Sequence, residues 1–286
     1  MRLLLTTLAV LLLALPALPV EAKEKKAKKE KVLPHADDVV VKAKERFEKD
    51  FGEKDMDKRL RILKWYGMHM HKTVLKDLSK LYLKDKNVEI QRAAAAGLGN
   101  QLHDPRRAGT ALMQGIKKYE KYGSRKDVEG DEEVLNENES AVLATALASY
   151  AKLGVKPDKK GFKLIKGLID HNHDDVAIAM LDWCGATKEY RALPMILEWF
   201  NFYPDGYSWA GGSVSVDTGA AGNKDAKAAK AKFHAKYGGR AKKARPKAHE
   251  AMKKALKEIT GEDFEKPKQL KQWMDENKLL LKKNGV

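Results

Sequence analysis

The chain has 286 residues, 43% of them hydrophobic and 34% charged, so it is long enough to bury a core beneath an unusually charged surface. Its formal net charge of +16 attracts anionic partners such as polysaccharides, anionic membranes, acidic proteins and nucleic acid, but does not choose among them. The single cysteine, Cys184, excludes an intramolecular disulfide and a multi-cysteine zinc site within this sequence. It lies in the apolar run IAMLDWCG, which favours a buried structural thiol over a nucleophile.

Residues 1–22 have the pattern of a secretory signal peptide. Met1 and Arg2 give a short positive start, residues 3–20 are largely apolar and leucine-rich, and Ala22 marks the expected cleavage position. A lysine-rich stretch follows at once, which fits a cleaved signal better than a membrane anchor. We therefore predict a secreted or periplasmic protein, with no transmembrane span after signal removal and with nucleic acid an unexpected partner.

Residues 23–35 form a Lys-rich run without an apolar face, and we predict a disordered linker there. From Ala36 the apolar residues recur at helical spacing, and Gly52 closes the segment. The predicted apolar positions of this helix are Val39, Val40, Ala43 and Phe47.

Four tight turns each contain a glycine that follows an apolar or aromatic residue. These glycines are Gly67, Gly99, Gly154 and Gly185, at spacings of 32, 55 and 31 residues. Two spacings are near the period of one helical hairpin, and the middle one equals a period plus an insertion. We expect each glycine to occupy the C′ position that ends the first helix of a hairpin.

Apolar residues recur at fixed positions around three of these glycines, in the first, third and fourth units. Those before the glycine are Leu60, Leu63, Leu147, Tyr150, Ile178 and Leu181. Those after it are Leu75, Leu78, Leu81, Phe162, Ile165, Leu168, Leu193, Ile196 and Trp199. Steps of three or four residues put one apolar stripe on each helix, which predicts helical pairs that pack on one another. The second unit matches this pattern only loosely in its second helix.

The run QRAAAAGLGNQLHDPRRAGTAL, residues 91–112, resembles a HEAT repeat. Alanines lead into Leu98-Gly99, and Asp104-Pro105 then starts a second helix. Residues 174–200 resemble the same pattern, and the resemblance extends over about residues 55–202. It implies an α-solenoid whose hairpins stack and offer a binding or scaffold surface, without naming a reaction or a partner. Within that frame, Arg106 and Arg107 are predicted to be turn-surface charges rather than ligands.

Residues 119–139 break the period, and we predict an exposed loop there. Asn138 or Ser140 is the expected N-cap of the helix that follows. The loop is acidic from Asp127 onward, but it lacks the alternating Asp/Asn and Gly order that a calcium loop requires.

The aromatic stretch WFNFYPDGYSW, residues 199–209, leads into a Gly-rich junction over residues 203–222. Its aromatic side chains are expected to cover the end of the repeats; the alternative is a partner or ligand surface. The candidates for that surface are Trp199, Tyr203, Tyr207 and Trp209. Its glycines Gly219 and Gly222 lack the spacing of a phosphate-binding loop.

Residues 223–286 form a basic, predicted helical C-terminal region. Its lysine run is either a solvated face or an anion-binding face. The candidates for binding are Lys224, Lys227, Lys242, Lys243 and Arg245. The tail, with Thr260-Gly261, Phe264 and Trp273, is similar to a closing module of secreted bacterial repeat proteins.

Two imidazoles and two carboxylates lie within residues 171–175, and they are weak candidates for a metal site. These candidates are His171, His173, Asp174 and Asp175. Because the stretch lies at a repeat turn, we expect it to cap the next helix instead. The sequence contains no known catalytic motif and predicts neither an enzyme nor a cofactor.

Taken together, the sequence predicts an all-α protein: an α-solenoid of about four HEAT-like hairpins over residues 36–202, an irregular Gly-rich junction and a helical C-terminal region. The leading hypothesis is a non-catalytic exported scaffold or adaptor that binds a protein partner in the cell envelope. The alternatives are a binder of anionic or sugar polymer through the Lys-rich region, and a metal-dependent hydrolase around His171 and His173.

Overall fold

The computed structural model describes residues 32–120, 131–171, 173–202 and 246–286. Within these ranges the chain forms twelve α-helices and no β-strand, which confirms the all-α prediction for this part of the chain. The helices are α1 Asp37–Phe51, α2 Met56–Tyr66, α3 Lys72–Lys84, α4 Val88–Leu98, α5 Pro105–Tyr119, α6 Asp131–Leu153, α7 Lys159–Lys166, α8 Asp174–Ala186, α9 Leu193–Phe202, α10 Pro246–Thr260, α11 Pro267–Glu276 and α12 Lys278–Lys283. The predicted signal peptide and most of the predicted linker lie outside the described residues.

Short polar connections start several helices with a side-chain cap. The carboxylate of Asp55 accepts hydrogen bonds from two backbone N–H groups of α2, and the Asn87 side chain does the same for α4. Asp104 caps α5 and Asp158 caps α7. Each cap satisfies N–H groups that a helix leaves unpaired in its first turn, so the connections fix where the helices begin.

Alternate helices pack on one another in sequence. One series runs through α2, α4, α6, α8 and α10, each of which packs against the next. A second series runs through α3, α5 and α7, and α3 and α5 also pack against α4 and α6. Helix α1 packs on α2, and α11 packs on α9.

The predicted apolar stripes are buried. Leu63, Leu147 and Leu181 on the first helices are at most 1% exposed, and Leu78, Ile165 and Ile196 on the second helices are fully buried. Leu60, Leu81, Phe162 and Ile178 are partly buried against the same core. Helical spacing in the sequence therefore identified most of the inward positions, but Val39 in α1, which was also predicted, is 44% exposed.

The glycines act mainly through close helix approach, which differs from the predicted left-handed C′ position. Gly67 and Gly99 do follow α2 and α4, but with right-handed φ values of −64° and −63°. A Cβ atom on Gly67 would lie 3.1 Å from the Cα of Gly97 in α4, and one on Gly99 would lie 2.8 Å from the Cβ of Ser149 in α6. Gly154, with φ +60°, has the left-handed conformation that was predicted.

The fourth predicted turn, at Gly185, is wrong. It lies inside α8, which continues to Ala186, and so does not end that helix. A Cβ atom here would lie 3.2 Å from the Cα of Ala255 and would overlap the carboxylate of Glu258, both on α10. The glycine is thus required by the contact between α8 and α10 rather than by a turn.

The predicted loop over residues 119–139 is wrong at both ends. Tyr119 still belongs to α5, and α6 already begins at Asp131, so Asn138 and Ser140 lie within α6 and cap nothing. The sequence DEEVLNENE from Asp131 is rich in residues that suit a helix, and acidic residue types are favourable in a first turn. Residues 121–130, between the two helices, lie outside the described residues.

The C-terminal helices continue the same packing. Pro246 is the first residue of α10, a position that suits proline because it has no N–H to leave unpaired. Gly261 ends α10 with φ +85°, and Phe264 meets Trp273 edge-on, with ring centroids 6.3 Å apart. Among the described helices, none combines the length and the apolar character needed to cross a bilayer.

Candidate ligand-binding groove

A groove of about 650 Å³ lies between α5 and α7. The connection from α6 to α7, residues 154–158, forms part of its wall. Its lining residues are Arg106, Gly109, Thr110, Met113, Gln114, Lys117, Tyr150, Val155, Lys156, Pro157, Asp158, Lys160, Gly161 and Leu164. The volume lies within the range of about 300–1,000 Å³ that is usual for ligand pockets.

The α5 wall is a single helical face. Arg106, Thr110, Met113 and Lys117 follow one another at steps of three or four residues, which places them on one side of the helix. Asp104 fixes the start of this face, because its carboxylate accepts a hydrogen bond of 3.2 Å from the backbone N–H of the third helical residue. The N-cap therefore positions the first groove cation.

The opposite wall depends on a sharp turn after α6. The left-handed conformation of Gly154 lets the chain reverse, and Asp158 then caps α7 through a 2.7 Å hydrogen bond from the N–H of Gly161. Lys156 extends from the connection between them, and its ammonium group lies 3.5 Å from the carbonyl oxygen of Lys188. Two local signals, a glycine turn and an Asp cap, thus set the shape of this wall.

Two glycines bring the walls close together. A Cβ atom on Gly109 would lie 3.1 Å from the Tyr150 ring, and one on Gly161 would lie 3.1 Å from the terminal methyl group of Met113. Larger residues at either position would push the walls apart or fill the groove. The apolar floor consists of the partly buried side chains Met113, Val155 and Leu164.

The rim of the groove is positively charged. Arg106, Lys117, Lys156 and Lys160 are exposed at its edges, against one carboxylate, that of Asp158. That carboxylate is already engaged as the cap of α7. Among the described residues, none of the four cations lies within salt-bridge distance of a carboxylate. The rim therefore offers cationic N–H donors to an anionic ligand.

Tyr150 contributes packing rather than proton transfer. It is 2% exposed, and burial raises the pKa of its hydroxyl to about 12, with a further rise from nearby Asp158. The phenol is therefore protonated at neutral pH, and its ring supports the floor. An apolar floor with cationic edges is suited to binding an anionic ligand that also carries an apolar group.

Only one of the aromatic candidates for a partner surface lies within the described residues. Trp199, on α9, is 4% exposed and belongs to the core, so its ring is not presented to a ligand. The other candidate residues lie outside the described residues: Tyr203, Tyr207, Trp209, Lys224, Lys227, Lys242, Lys243 and Arg245.

The His/Asp stretch at residues 171–175 forms the start of α8 differently from the prediction. His173 is the N-cap, without a side-chain capping hydrogen bond, and Asp174 and Asp175 lie in the first turn, where negative charge is favourable. The two Asp residues of the stretch therefore do not cap α8, and Asn172 lies outside the described residues. His171 is 4% exposed, and its Nδ1 accepts a hydrogen bond from the N–H of His173. Across the part of the chain that the structure describes, no group of three or more His, Cys, Asp or Glu side chains is arranged to hold a metal ion.

A second histidine group lies where the start of α1 meets the connection between α2 and α3. The rings of His35 and His69 are 5.7 Å apart, and Nε2 of His71 lies 2.7 Å from the Asp37 carboxylate. The Nδ1 atom of His71 accepts a backbone N–H at the start of α3. These contacts hold α1 against the turns.

Cys184 has the environment that the sequence predicted. The thiol is 1% exposed and lies 3.5 Å from the sulfur of Met180. Burial raises its pKa well above the ordinary range, so the reactive thiolate is strongly disfavoured. The prediction of a structural thiol is confirmed.

The role of the four rim cations in lining a groove was not predicted from the sequence. Arg106 and Arg107 are exposed in the first turn of α5, as predicted, but Arg106 also lines the groove. A signal was present in the helical spacing of Arg106 and Lys117, with Met113 between them. No pattern indicated that this face lies beside α7.

A scan against models of known protein families gives no match. A search of curated proteins also gives no significant match.

Proposed function

We propose that the protein is an exported α-solenoid of HEAT-like hairpins that acts as a non-catalytic scaffold and binds a protein partner in the cell envelope. The observation that carries this proposal is the series α2, α4, α6, α8 and α10, in which each helix packs on the next. Such a series is what hairpins produce when they bury their inner faces on neighbouring copies. Stacked hairpins leave extended outer surfaces, and those surfaces are what repeat proteins use for binding.

The groove supports a binding role in particular. Its edges carry cations and its floor is aliphatic, while its buried tyrosine is held in the neutral form. These groups recognise a ligand but do not supply a nucleophile with a base beside it. The proposed location in the envelope rests on the pattern of residues 1–22.

The test is direct binding by residues 23–286. The purified protein is used to isolate partners from envelope extract, and each candidate is then purified and titrated against it by calorimetry. A saturable complex with one protein is the expected result. Absence of any saturable complex overturns the proposal. So does turnover of a substrate that is lost on changing one acid or base residue without unfolding the chain.

Binding of an anionic polymer is the second candidate function. It is favoured by the net charge of +16 and by the lysine run that follows residue 223. The expected signature is retention on a heparin column that disappears in moderate salt, because exposed charges are screened. Failure to bind the column at low salt removes this candidate.

A further inference from the structure

We propose that the α5–α7 groove binds a short acidic peptide segment that inserts an apolar side chain between Met113 and Leu164. This inference rests on the proposed scaffold function and specifies the partner chemistry at one site. Three features carry it: the apolar floor, the distribution of cations on both walls, and the length of the α5 face.

The floor accounts for the apolar part of the ligand. Met113, Val155 and Leu164 are each only partly buried, so they keep apolar surface that a ligand would remove from water. Methionine is unbranched and adapts to differently shaped side chains. One aliphatic or aromatic side chain inserted here would anchor the ligand.

The cations on the two walls account for the negative charge of the proposed ligand. Arg106 and Lys117 lie on α5, whereas Lys156 and Lys160 lie on the connection and on α7. A segment in the groove would meet cations on both sides. Because Asp158 already caps α7, its charge is partly engaged, and complementarity favours carboxylates on either side of the apolar anchor.

The α5 face determines the length of the peptide segment that fits the groove. Arg106 and Lys117 are three helical turns apart, or about 16 Å along the axis. An extended peptide covers that distance with about five residues. Thr110 and Gln114 lie between them on the rim, and the exposed amide of Gln114 offers a donor and an acceptor to a peptide backbone.

The same features favour a peptide over a sugar polymer or a nucleic acid. Sugars and bases are commonly bound on exposed aromatic faces, but the groove's aromatic residue, Tyr150, is 2% exposed. Its remaining floor is aliphatic. Aliphatic contact combined with carboxylate recognition is the chemistry of an acidic, apolar-anchored peptide.

The experiment uses a fluorescein-labelled pentapeptide with a central leucine and two glutamates on each side. Its binding to residues 23–286 is measured by fluorescence anisotropy. The matched peptide replaces the leucine by serine. The groove variant carries Lys156→Glu and Lys160→Glu, and the control carries Lys268→Glu and Lys271→Glu on exposed positions of α11, which changes the net charge equally. Circular dichroism checks that both variants are folded.

We expect saturable binding that the groove variant weakens by about tenfold and the control leaves nearly unchanged. The serine peptide and the Met113→Ser variant should each weaken binding as well, because the floor contact is lost. Equal effects of the groove and control variants, or indifference to the leucine, overturn the proposal. The proposal is also overturned if the peptide does not bind while a heparin oligosaccharide binds the wild type but not the groove variant.

Different outcomes would disprove the groove assignment and the scaffold function. If an envelope partner binds the groove variant as tightly as the wild type, the groove assignment is wrong and the scaffold function stands. If no envelope protein binds the wild type, the scaffold function is wrong whatever the pentapeptide does.

Discussion

The ring of Tyr82, on α3, occupies the space that a Cβ atom of Gly115, on α5, would need. Tyr82 is fully buried, and its hydroxyl donates a 3.4 Å hydrogen bond to the carbonyl of Leu112. The close approach of α3 and α5 therefore depends on a missing side chain in the middle of a helix.

Gly115→Ala should destabilise the fold by about 2–3 kcal/mol, because overpacking outweighs the gain in helix propensity. Gly167→Ala is the control: a Cβ atom there meets nothing within 4 Å, and the backbone is right-handed. That variant should be neutral or gain up to about 1 kcal/mol. Urea unfolding followed by circular dichroism measures both, and equal effects would contradict the packing argument.

Gln101 joins the connection between α4 and α5 to the connection between α2 and α3. It is fully buried; its amide donates to the carbonyls of Gly67 and His69, both at 3.2 Å, and its oxygen accepts from the N–H of His71. Gln101→Leu would leave buried backbone groups unpaired and should cost about 3 kcal/mol in the free energy of unfolding. Gln272→Leu, at an exposed position on α11, should change it by less than about 0.5 kcal/mol. A tolerated Gln101→Leu would mean that water or rearrangement replaces these hydrogen bonds.

Glu189 and Arg191 form a two-pronged ion pair beside the groove. Both contacts are 2.7 Å, the Glu189 side chain is 2% exposed, and the guanidinium lies over the Phe162 ring and donates to the carbonyl of Pro157. The hydrogen bonds that Arg191 donates to the Glu189 carboxylate raise the pKa of Arg191. Lysine cannot reproduce this planar fork, so Arg191→Lys should cost about 2 kcal/mol.

The control for this pair is Lys253→Ala, which removes an exposed contact of 2.6 Å to Glu265. Such pairs contribute about 0–1 kcal/mol. Thermal unfolding of both variants gives the comparison. If the two changes lower stability equally, burial and fork geometry add nothing to the Glu189–Arg191 pair.

His103 should make the fold less stable in mild acid. Both ring nitrogens are buried and, among the described residues, have no hydrogen-bond partner. Burial lowers the pKa of His103; nearby His71 and His35 lower it further, and Asp104 opposes the shift. The unfolded chain therefore binds the proton more readily, so stability is retained above the unfolded pKa of about 6.5 and falls as the pH drops below it.

The variant His103→Gln removes this titration while keeping a polar side chain. Urea unfolding at pH 7.5 and pH 5.5 should show a larger loss of stability in the wild type than in the variant. His35 and His71 are present and accept backbone N–H groups in both proteins, so the difference isolates His103. Equal losses would show that His103 does not contribute to the pH dependence.

Features that depend on nearby residues were predictable from the sequence. Helical spacing identified the buried positions Leu63, Leu78 and Ile165, and an apolar neighbourhood identified the buried thiol of Cys184. Asp104-Pro105 located the start of α5 and Gly154 the end of α6, because such caps act within a few residues of the helix end.

Features that depend on contacts between distant segments were not predictable. The groove forms because α5 packs on α7, which brings Arg106 near Lys160 although they lie far apart in the chain. Gly185 has the sequence pattern of a turn, but it lies within α8, where the absence of a side chain permits the close approach of α10. The start of α6 at Asp131 was missed because a polar, acidic sequence has the composition of a loop as well as of an exposed helix.

The packing of α10 on α8 has a consequence for how the protein can be divided experimentally. Helix α8 contains the buried residues Met180 and Trp183, and α10 is one of its two principal neighbours, with α6 on the other side. Deleting residues 246–286 would leave α8 with an unprotected apolar face, so a truncated chain should aggregate or fray from that end. Amide hydrogen exchange would detect this as faster exchange in α8 than in α2. Point substitutions, rather than truncations, are therefore the sound way to assign binding to the C-terminal region.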